Sequence, residues 1–388
     1  MEAPIIIVVG TRPDAIKLMP VFKALKRNGV PSLLCTIKQH THLLDQVLDL
    51  FAVTPDLSLD VVREDASLAS LTTGTLKAAQ TLFNNYRPSL VMVQGDTTTA
   101  FAATLAAFYN RIPVAHIEAG LRTYDTQHPF PEEINRTLIT PLATYHFAPT
   151  PLNVSALLSQ GAQANRVFCV GNTVIDAVMM VKEKIAAGVL TLSESIKTMV
   201  STLESREQRL VLVTTHRREA WDGGFDTIMR SLIAAAKKHP NLYFIFPVHP
   251  NPVVQAAVRA HDNLFPSNIA RIHPLPYHEF LYLFELASWV MTDSGGLQEE
   301  AMILGKRVVV MREATERAEI IWDGLGILTG FNEYAITAAI DKIEQDRPIH
   351  RASRYVYGDG QSAERIVALL KKHHHRANVT SSPEGGLV

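Results

Sequence analysis

Asp293-Ser-Gly-Gly-Leu-Gln-Glu-Glu-Ala301 follows an apolar run, Ala287 to Met291, of buried-strand type. It precedes a helical pattern that ends near Gly305. A strand, a Ser-Gly-Gly turn and a helix start expose backbone N–H groups and the positive end of a helix dipole, which makes an anion site. Glu300 lies about one and a half turns into that helix, near enough to reach a hydroxylated group beside the anion. A phosphate next to a diol is what a nucleotide offers. The same residues would also serve an ordinary strand-to-helix connection with a Ser cap. The rest of the chain decides between the two.

Open parallel sheets bind ligands at the carboxyl ends of their strands. Arg12, Asp96, Glu118, His216, His249, Ser294 and Arg312 all come at the ends of apolar runs. The carboxylates Asp96, Glu118 and Glu132 lie in the first half of the chain. Proton transfer at a sugar ring needs a base and an acid in environments that separate their pKa values, and such a trio supplies both. Glu132 and Glu133 also suit an acidic first helical turn with Arg136 as partner. The cations His216, Arg217, Arg218, Arg312 and Arg317 lie in the second half with Ser294, Gly295 and Gly296. They suit a diphosphate, above all one that departs during reaction. An arginine in Thr215-His-Arg-Arg-Glu219 would equally serve as a surface charge. The second half thus reads as the nucleotide half and the first as the sugar half.

The elements that must carry these residues alternate. Apolar runs at Ile5–Val9, Ser32–Ile37, Leu90–Val93, Ile112–Ile117, Tyr145–Ala148 and Val167–Val170 read as strands, with helical patterns between them. Near Gly171-Asn-Thr-Val-Ile-Asp176 a polar helical stretch leads away. The alternation restarts at Leu210–Thr214, Leu242–Pro247, Ile269–Ile272, Trp289–Thr292 and Arg307–Met311. The expectation is an α/β protein of two doubly wound, Rossmann-like domains facing a cleft. The first spans 1–172, the second 173–370 with its last helix free to pack back on the first domain. A disordered tail carrying His373, His374 and His375 fills 371–388.

The 388 residues are 47% hydrophobic and 19% charged with a net charge of −1, which speaks against non-specific nucleic-acid binding. Cys35 and Cys169 form no disulfide framework or zinc pattern. The run Ile5–Val9 is too short for a membrane span or a signal core, so a cytoplasmic setting without membrane attachment is expected. There is no Gly-x-Gly-x-x-Gly after the first strand and no Gly-Lys-Ser/Thr loop, which disfavours a dinucleotide site and a P-loop. No metal-ligand spacing is present, so neither a metal nor another cofactor is expected.

The motifs Gly10-Thr-Arg-Pro-Asp-Ala-Ile-Lys17, Gln94-Gly-Asp-Thr-Thr-Thr99, His116-Ile-Glu-Ala-Gly-Leu-Arg122, Pro129-Phe-Pro-Glu-Glu-Ile-Asn-Arg136, Gly171 to Asp176, Thr215 to Glu219, Pro247-Val-His-Pro-Asn251, Asp293 to Ala301 and Thr315-Glu-Arg317 follow one another in a telling order. From about residue 5 to residue 370 the chain resembles the non-hydrolysing UDP-N-acetylglucosamine 2-epimerases. The resemblance implies the two-domain glycosyltransferase-B arrangement, a UDP-sugar substrate and, by family habit, a homodimer. It implies interconversion of UDP-N-acetylglucosamine and UDP-N-acetylmannosamine by anti elimination of UDP to 2-acetamidoglucal and re-addition on the other face. By similarity, Asp96, Glu118, Glu132 and His216 match catalytic positions. Arg12, Ser294, Gly295, Gly296, Glu300 and Arg317 match UDP-contacting ones, with Glu300 on the ribose and Phe280 near the uracil. Lys17 matches a lysine of the first motif, and Arg136, Arg217 and His249 fall within matching motifs as further substrate contacts. A hydrolysing relative, an epimerase of a related UDP-sugar such as a diacetamido-uronate, and a glycosyltransferase of the same fold remain alternatives. A catalytically silent sensor would not need the carboxylates and His216.

The chain departs from the family pattern in places. Lys38 stands where Gly commonly precedes Gln-His, and Asp65-Ala66 where Arg-Gln opens the long helix. In bacterial members these regions line a second site at which UDP-N-acetylglucosamine activates. Ala220, Ala318 and the bulky Ile320-Ile-Trp-Asp-Gly324 border the nucleotide half. Exchanging Arg-Gln for Asp-Ala reverses a charge and removes an amide. Activation by that sugar nucleotide is therefore expected to be weak or absent. Strong stimulation of UDP-N-acetylmannosamine turnover by trace UDP-N-acetylglucosamine would contradict this.

Overall fold

The structure, a computed structural model, describes residues 3–38, 41–61, 65, 67–346 and 355–380. The departures at Ala66 and at the side chain of Lys38, like the loop opened by Gln39-His40, lie outside the described residues. Ile5–Val9 forms β1, buried along its whole length, as a continuous apolar run should be in a sheet covered on both faces. It is joined by β2 (Ser32–Lys38), β3 (Leu57–Asp60), β4 (Leu90–Gln94), β5 (Val114–Ile117), β6 (Tyr145–Ala148) and β7 (Val167–Cys169) in the order β3-β2-β1-β4-β5-β6-β7, every pair parallel. The chain starts in the middle, runs out to β3 and returns beside β1. The loops after β1 and β4 therefore diverge over a crevice at the carboxyl ends. The crevice is tight at its base. A Cβ on Gly10 would come within 2.6 Å of the Thr99 side chain.

The second sheet repeats the plan. Strands β8 (Arg209–Thr214), β9 (Leu242–Pro247), β10 (Ile269–Ile272), β11 (Trp289–Thr292), β12 (Arg307–Val310) and β13 (Gly326–Leu328) take the order β10-β9-β8-β11-β12-β13, again all parallel. Its switch point lies between β8 and β11. One face is sealed by a core that includes Phe225, Met229, Leu232, Phe244, Phe246, Trp289 and Ile340.

Helix starts follow local chemistry. Thr11 caps the helix Arg12–Arg27 in a capping box with Asp14, and Pro13 fits its first turn. Thr97 caps Thr98–Tyr109 through Ala100 N.

The chain packs as two compact units, one of residues 1–121, 134–177 and 358–388, the other of 122–133 and 178–357. These differ from the expected spans in three places, the first being that the first unit runs on to residue 177 instead of 172. The segment 122–133 groups with the second unit, and the C-terminal residues group with the first. Helix Ser362–Thr380 explains the latter. The buried Asp176 carboxylate accepts Ser362 N at 3.2 Å and Ala363 N at 2.8 Å, a negative charge on a helix N-terminus. Burial pushes its carboxyl pKa up, and those N–H groups pull against the shift.

Of the expected tail 371–388, residues 371–380 continue the same helix, and 381–388 lie outside the described residues. Ala363, Ile366, Val367, Leu370 and His374 continue one buried stripe at helical spacing. His374 meets the Tyr145 ring edge-on at 6.2 Å and His373 lies 5.1 Å from Phe168, so neither is a solvated tail residue.

Replacing Asp176 by Ala leaves two buried N–H groups without their acceptor. A loss of about 1–3 kcal/mol is expected in urea unfolding, against which an unchanged midpoint would count.

Candidate functional site

In the first unit the site is built on the ends of β4 and β5. Glu118 follows β5 with a left-handed backbone, φ 61°, a conformation that costs roughly 1–3 kcal/mol away from glycine and persists where surroundings impose it. The surroundings are three donors. Lys17 Nζ lies 2.5 Å from Oε1, Asn172 Nδ2 donates to Oε1 at 2.9 Å, and Gln94 Nε2 donates to Oε2. Lys17 and Glu118 are both buried, so the pair is taken out of water together. Gly95, one turn residue past β4, leaves just enough room; a Cβ there would stand 3.3 Å from Glu118 Oε2. Asp96 comes next. Its carboxylate accepts from Arg136 Nη2 and its carbonyl from Asn135 Nδ2 at 2.9 Å. Arg136 thus reaches Asp96. Glu133, which groups with the second unit, accepts Thr123 N and Tyr124 N of the same unit, each at 3.0 Å.

Arg12 opens the helix after β1 and is half-buried. Beneath it Asp14 accepts Gly10 N and Thr11 N, each at 3.1 Å. Burial pushes the Asp14 carboxyl up to about 6.

In the second unit the site is built on the ends of β8, β9 and β11. Asp293 is fully buried. Its Oδ2 accepts the Thr215 hydroxyl at 2.8 Å, His216 N at 2.7 Å and Arg217 N at 2.9 Å. The His216 ring stacks on His249 at 5.3 Å and 24°. Nδ1 of His249 accepts Asn251 N at 3.2 Å. Ser294 stands at the N-cap of helix Gly295–Leu304, and its side chain makes no capping bond. Glu300, buried on that helix, accepts the Tyr277 hydroxyl at 2.9 Å. Phe280 is one turn beyond Tyr277 and packs edge-on against Phe284.

Arg312 and Arg317 belong to a buried ladder of alternating charge. Glu219 holds Arg312 at 3.3 Å, Arg312 donates to Glu316 at 2.8 Å, Glu316 also accepts from Arg317, and Arg317 donates to Glu299 at 2.8 Å. The guanidinium of Arg317 therefore lies directly behind the helix start. Arg218 stacks on Trp221, which fits its surface reading.

Glu132 groups with the second unit and lies 3.9 Å from Arg217 Nη1. Sequence reasoning assigned no part to Gln94, Asn135, Asn172, Tyr277 or Asp293, although most fall inside the quoted motifs. A polar residue closing an apolar strand, as Gln94 does, was the available signal. Among the described residues no group of three His, Cys, Asp or Glu side chains is placed to hold a metal ion. No helix among them is long and apolar enough to cross a membrane.

Two open parallel sheets, each wound on both faces and each carrying its polar residues at a switch point, define an α/β protein of two Rossmann-like domains. The chain belongs to the UDP-N-acetylglucosamine 2-epimerase family, whose model matches residues 23–371. It is 41% identical over 374 residues to a UDP-N-acetylglucosamine 2-epimerase of Yersinia pestis, covering 95% of this chain and 98% of the relative. It is 39% identical over 384 residues to one of Campylobacter jejuni, covering 98% of this chain and all of the relative. The fold is similar to the Neisseria meningitidis UDP-GlcNAc 2-epimerase bound to UDP-GlcNAc, with a TM-score of 0.85 at 38% identity over 95% of this chain and 100% of that one. It is likewise similar to the Methanocaldococcus jannaschii enzyme in complex with UDP-GlcNAc and UDP, with a TM-score of 0.83 at 31% identity over 95% and 99%.

A Cβ on Gly295 would lie 2.4 Å from Arg317 Nη1 and 2.9 Å from Glu316 Oε1. Both groups are locked in the ladder and cannot swing aside. Gly295→Ala is expected to destabilise the protein by about 1–3 kcal/mol in urea unfolding. An unperturbed midpoint would show the ladder to be pliable.

Proposed function

We propose that this protein is a UDP-N-acetylglucosamine 2-epimerase that interconverts UDP-N-acetylglucosamine and UDP-N-acetylmannosamine. The observation that carries the reading is the separation of two charge systems on two switch points. Carboxylates with fixed donors stand on one, and an imidazole, a Gly-Gly helix start and Arg217 stand on the other.

The reaction we infer uses each in turn. A carboxylate takes the proton from C2 as the C1–O bond breaks, and the bonding electrons leave on the β-phosphate of UDP. The product is 2-acetamidoglucal. Addition of UDP to C1 and of a proton to C2 on the opposite face gives the epimer. Asp96, Glu118 and Glu132 supply the proton transfers, and His216 meets the charge that develops on the leaving diphosphate. Arg136 and Lys17 hold the Asp96 and Glu118 carboxylates in place. Arg12, Arg217 and His249 serve the phosphates, Glu300 the ribose hydroxyls and Phe280 the uracil. Arg317 acts from behind the helix start. The scheme uses no cofactor.

Gly296 supports the placement of the diphosphate. A Cβ there meets nothing within 4 Å, so no protein atom demands glycine. Alanine would favour the helix by roughly 1 kcal/mol. A ligand seated on the helix N-terminus supplies the reason. Gly296→Ala should unfold at the same urea concentration or a higher one, while UDP binds at least about tenfold more weakly, equivalent to about 1.4 kcal/mol. Calorimetric titration with undiminished UDP affinity would remove the diphosphate from this helix.

Turnover itself is tested by NMR of UDP-N-acetylglucosamine with the protein in deuterated water. Deuterium at C2 together with growth of the manno epimer is expected. Free UDP with free N-acetylmannosamine would move the protein to the hydrolysing relatives, and a protonated C2 throughout would end the epimerase reading.

A further inference from the structure

Glu118 receives its counter-charge and its direction from different residues. Lys17 Nζ, 2.5 Å from Oε1, is a point charge on a flexible stem with rotatable donors, so it attracts the carboxylate without fixing the plane in which it lies. Asn172 reaches the same oxygen with Nδ2 at 2.9 Å, from a side chain held at both ends. It immediately precedes helix Thr173–Ala186, and its Oδ1 accepts Val174 N at 3.1 Å, the bond of an N-cap. That bond decides which way the amide faces. Turned over, the amide would set its NH2 against an N–H and its oxygen against a carboxylate. Asn172 is 1% exposed. The helix it starts is pinned in turn, since Asp176 in the first turn holds the N–H groups of Ser362 and Ala363. A Cβ on Gly358, φ 112°, would come 3.2 Å from Gly171 Cα and 3.5 Å from Asn172 N, so the C-terminal chain closes on this turn without slack.

We propose that Asn172 is the positioning residue of Glu118: one amide joins the start of helix Thr173–Ala186 to the carboxylate, so that the helix cap sets the plane of a group that moves protons at C2. This rests on the epimerase reading of the site. The Glu118 backbone is already fixed in the left-handed region, which leaves the side-chain torsions as the freedom to be removed. Proton transfer at C2 calls for a carboxylate held within hydrogen-bond reach of one hydrogen on one face of the ring, and small misplacements are costly. Asn172 itself exchanges no proton with the substrate. It carries two separable roles, as helix cap through Oδ1 and as donor to Glu118 through Nδ2, and the proposal concerns the second.

Two variants keep the cap and remove the donor, because Asp and Ser cap helices about as well as Asn. Asn172→Asp turns an acceptor toward Glu118, and Asn172→Ser is too short to reach it. Retained UDP binding in calorimetry establishes that a variant is folded, and N172S carries the test if N172D is not. The kcat for C2 deuterium exchange should fall by roughly 10- to 100-fold in each folded variant, with KM and UDP affinity within about threefold of the wild type. Unchanged kcat would reduce Asn172 to a helix cap, and a kcat loss matched by an equal loss of UDP affinity would reduce it to a general structural residue; either result overturns the proposal. A second readout needs no turnover. In protein carrying ¹³C at the glutamate carboxyls, with the Glu118 signal assigned by its absence from Glu118→Gln, the Glu118 titration should move to higher pH in N172D, since a like charge at Oε1 disfavours the ionised form. An unmoved titration also overturns the proposal. A wild type that shows no C2 exchange refutes the epimerase reading instead, while the carboxyl titration still decides whether Asn172 governs Glu118.

Discussion

Glu118, Asp293, Asp14 and Glu316 are carboxylates with almost no contact with solvent. Taking such a group out of water costs several kcal/mol unless donors replace the water it loses. Each has been given them: Lys17 and two amides for Glu118, a hydroxyl and two N–H groups for Asp293, two loop N–H groups for Asp14, and two guanidinium groups for Glu316. The bonds of Glu118, Asp293 and Asp14 tie loops at strand ends to neighbouring elements, and those of Glu316 brace the loop after β12 internally. The burial of charge therefore helps set these loops in place.

The arrangement separates two tasks. Breaking the C1–O bond of a sugar nucleotide needs positive charge and N–H groups at the diphosphate, and moving a proton at C2 needs carboxylates. Packing both sets against each other would let the cations neutralise the bases. Under the proposed function, distribution over two sheets gives Asp96 and Glu118 their own donors and would leave His216, Arg217 and the Gly-Gly helix start to a diphosphate. Glu132 is the exception, since it lies near Arg217.

Much of the fold was legible because a parallel strand buried on both faces writes itself as an unbroken apolar run. β1, β4, β8, β9 and β11 are all of this kind, and the polar residue that ends each is what a switch point looks like in sequence. One edge of each sheet was not legible. β3 alternates Leu with Ser and Asp, and β13 is three residues long and begins with Gly326. The C-terminal helix was not legible past 371, where His373 and His374 pack against Phe168 and Tyr145, on strands more than two hundred residues earlier. The site was legible as residue types and not as partnerships. Glu219 meets Arg312 across 93 residues, and Asp293 meets Thr215 across 78. No local pattern encodes such pairs, so Arg312 and Arg317 read as phosphate ligands when each is first a member of a buried ladder.

The central claim is that the C1–O bond is broken and remade while the sugar is held, with proton transfer at C2 as its companion. Positional isotope exchange tests it directly. UDP-N-acetylglucosamine carrying ¹⁸O in the bridge between C1 and the β-phosphorus should scramble that label into the non-bridging β-phosphate oxygens as C2 exchanges its hydrogen. Loss of the C2 hydrogen with the label still confined to the bridge would mean that UDP never leaves, and the division of labour between the two sheets would be wrong.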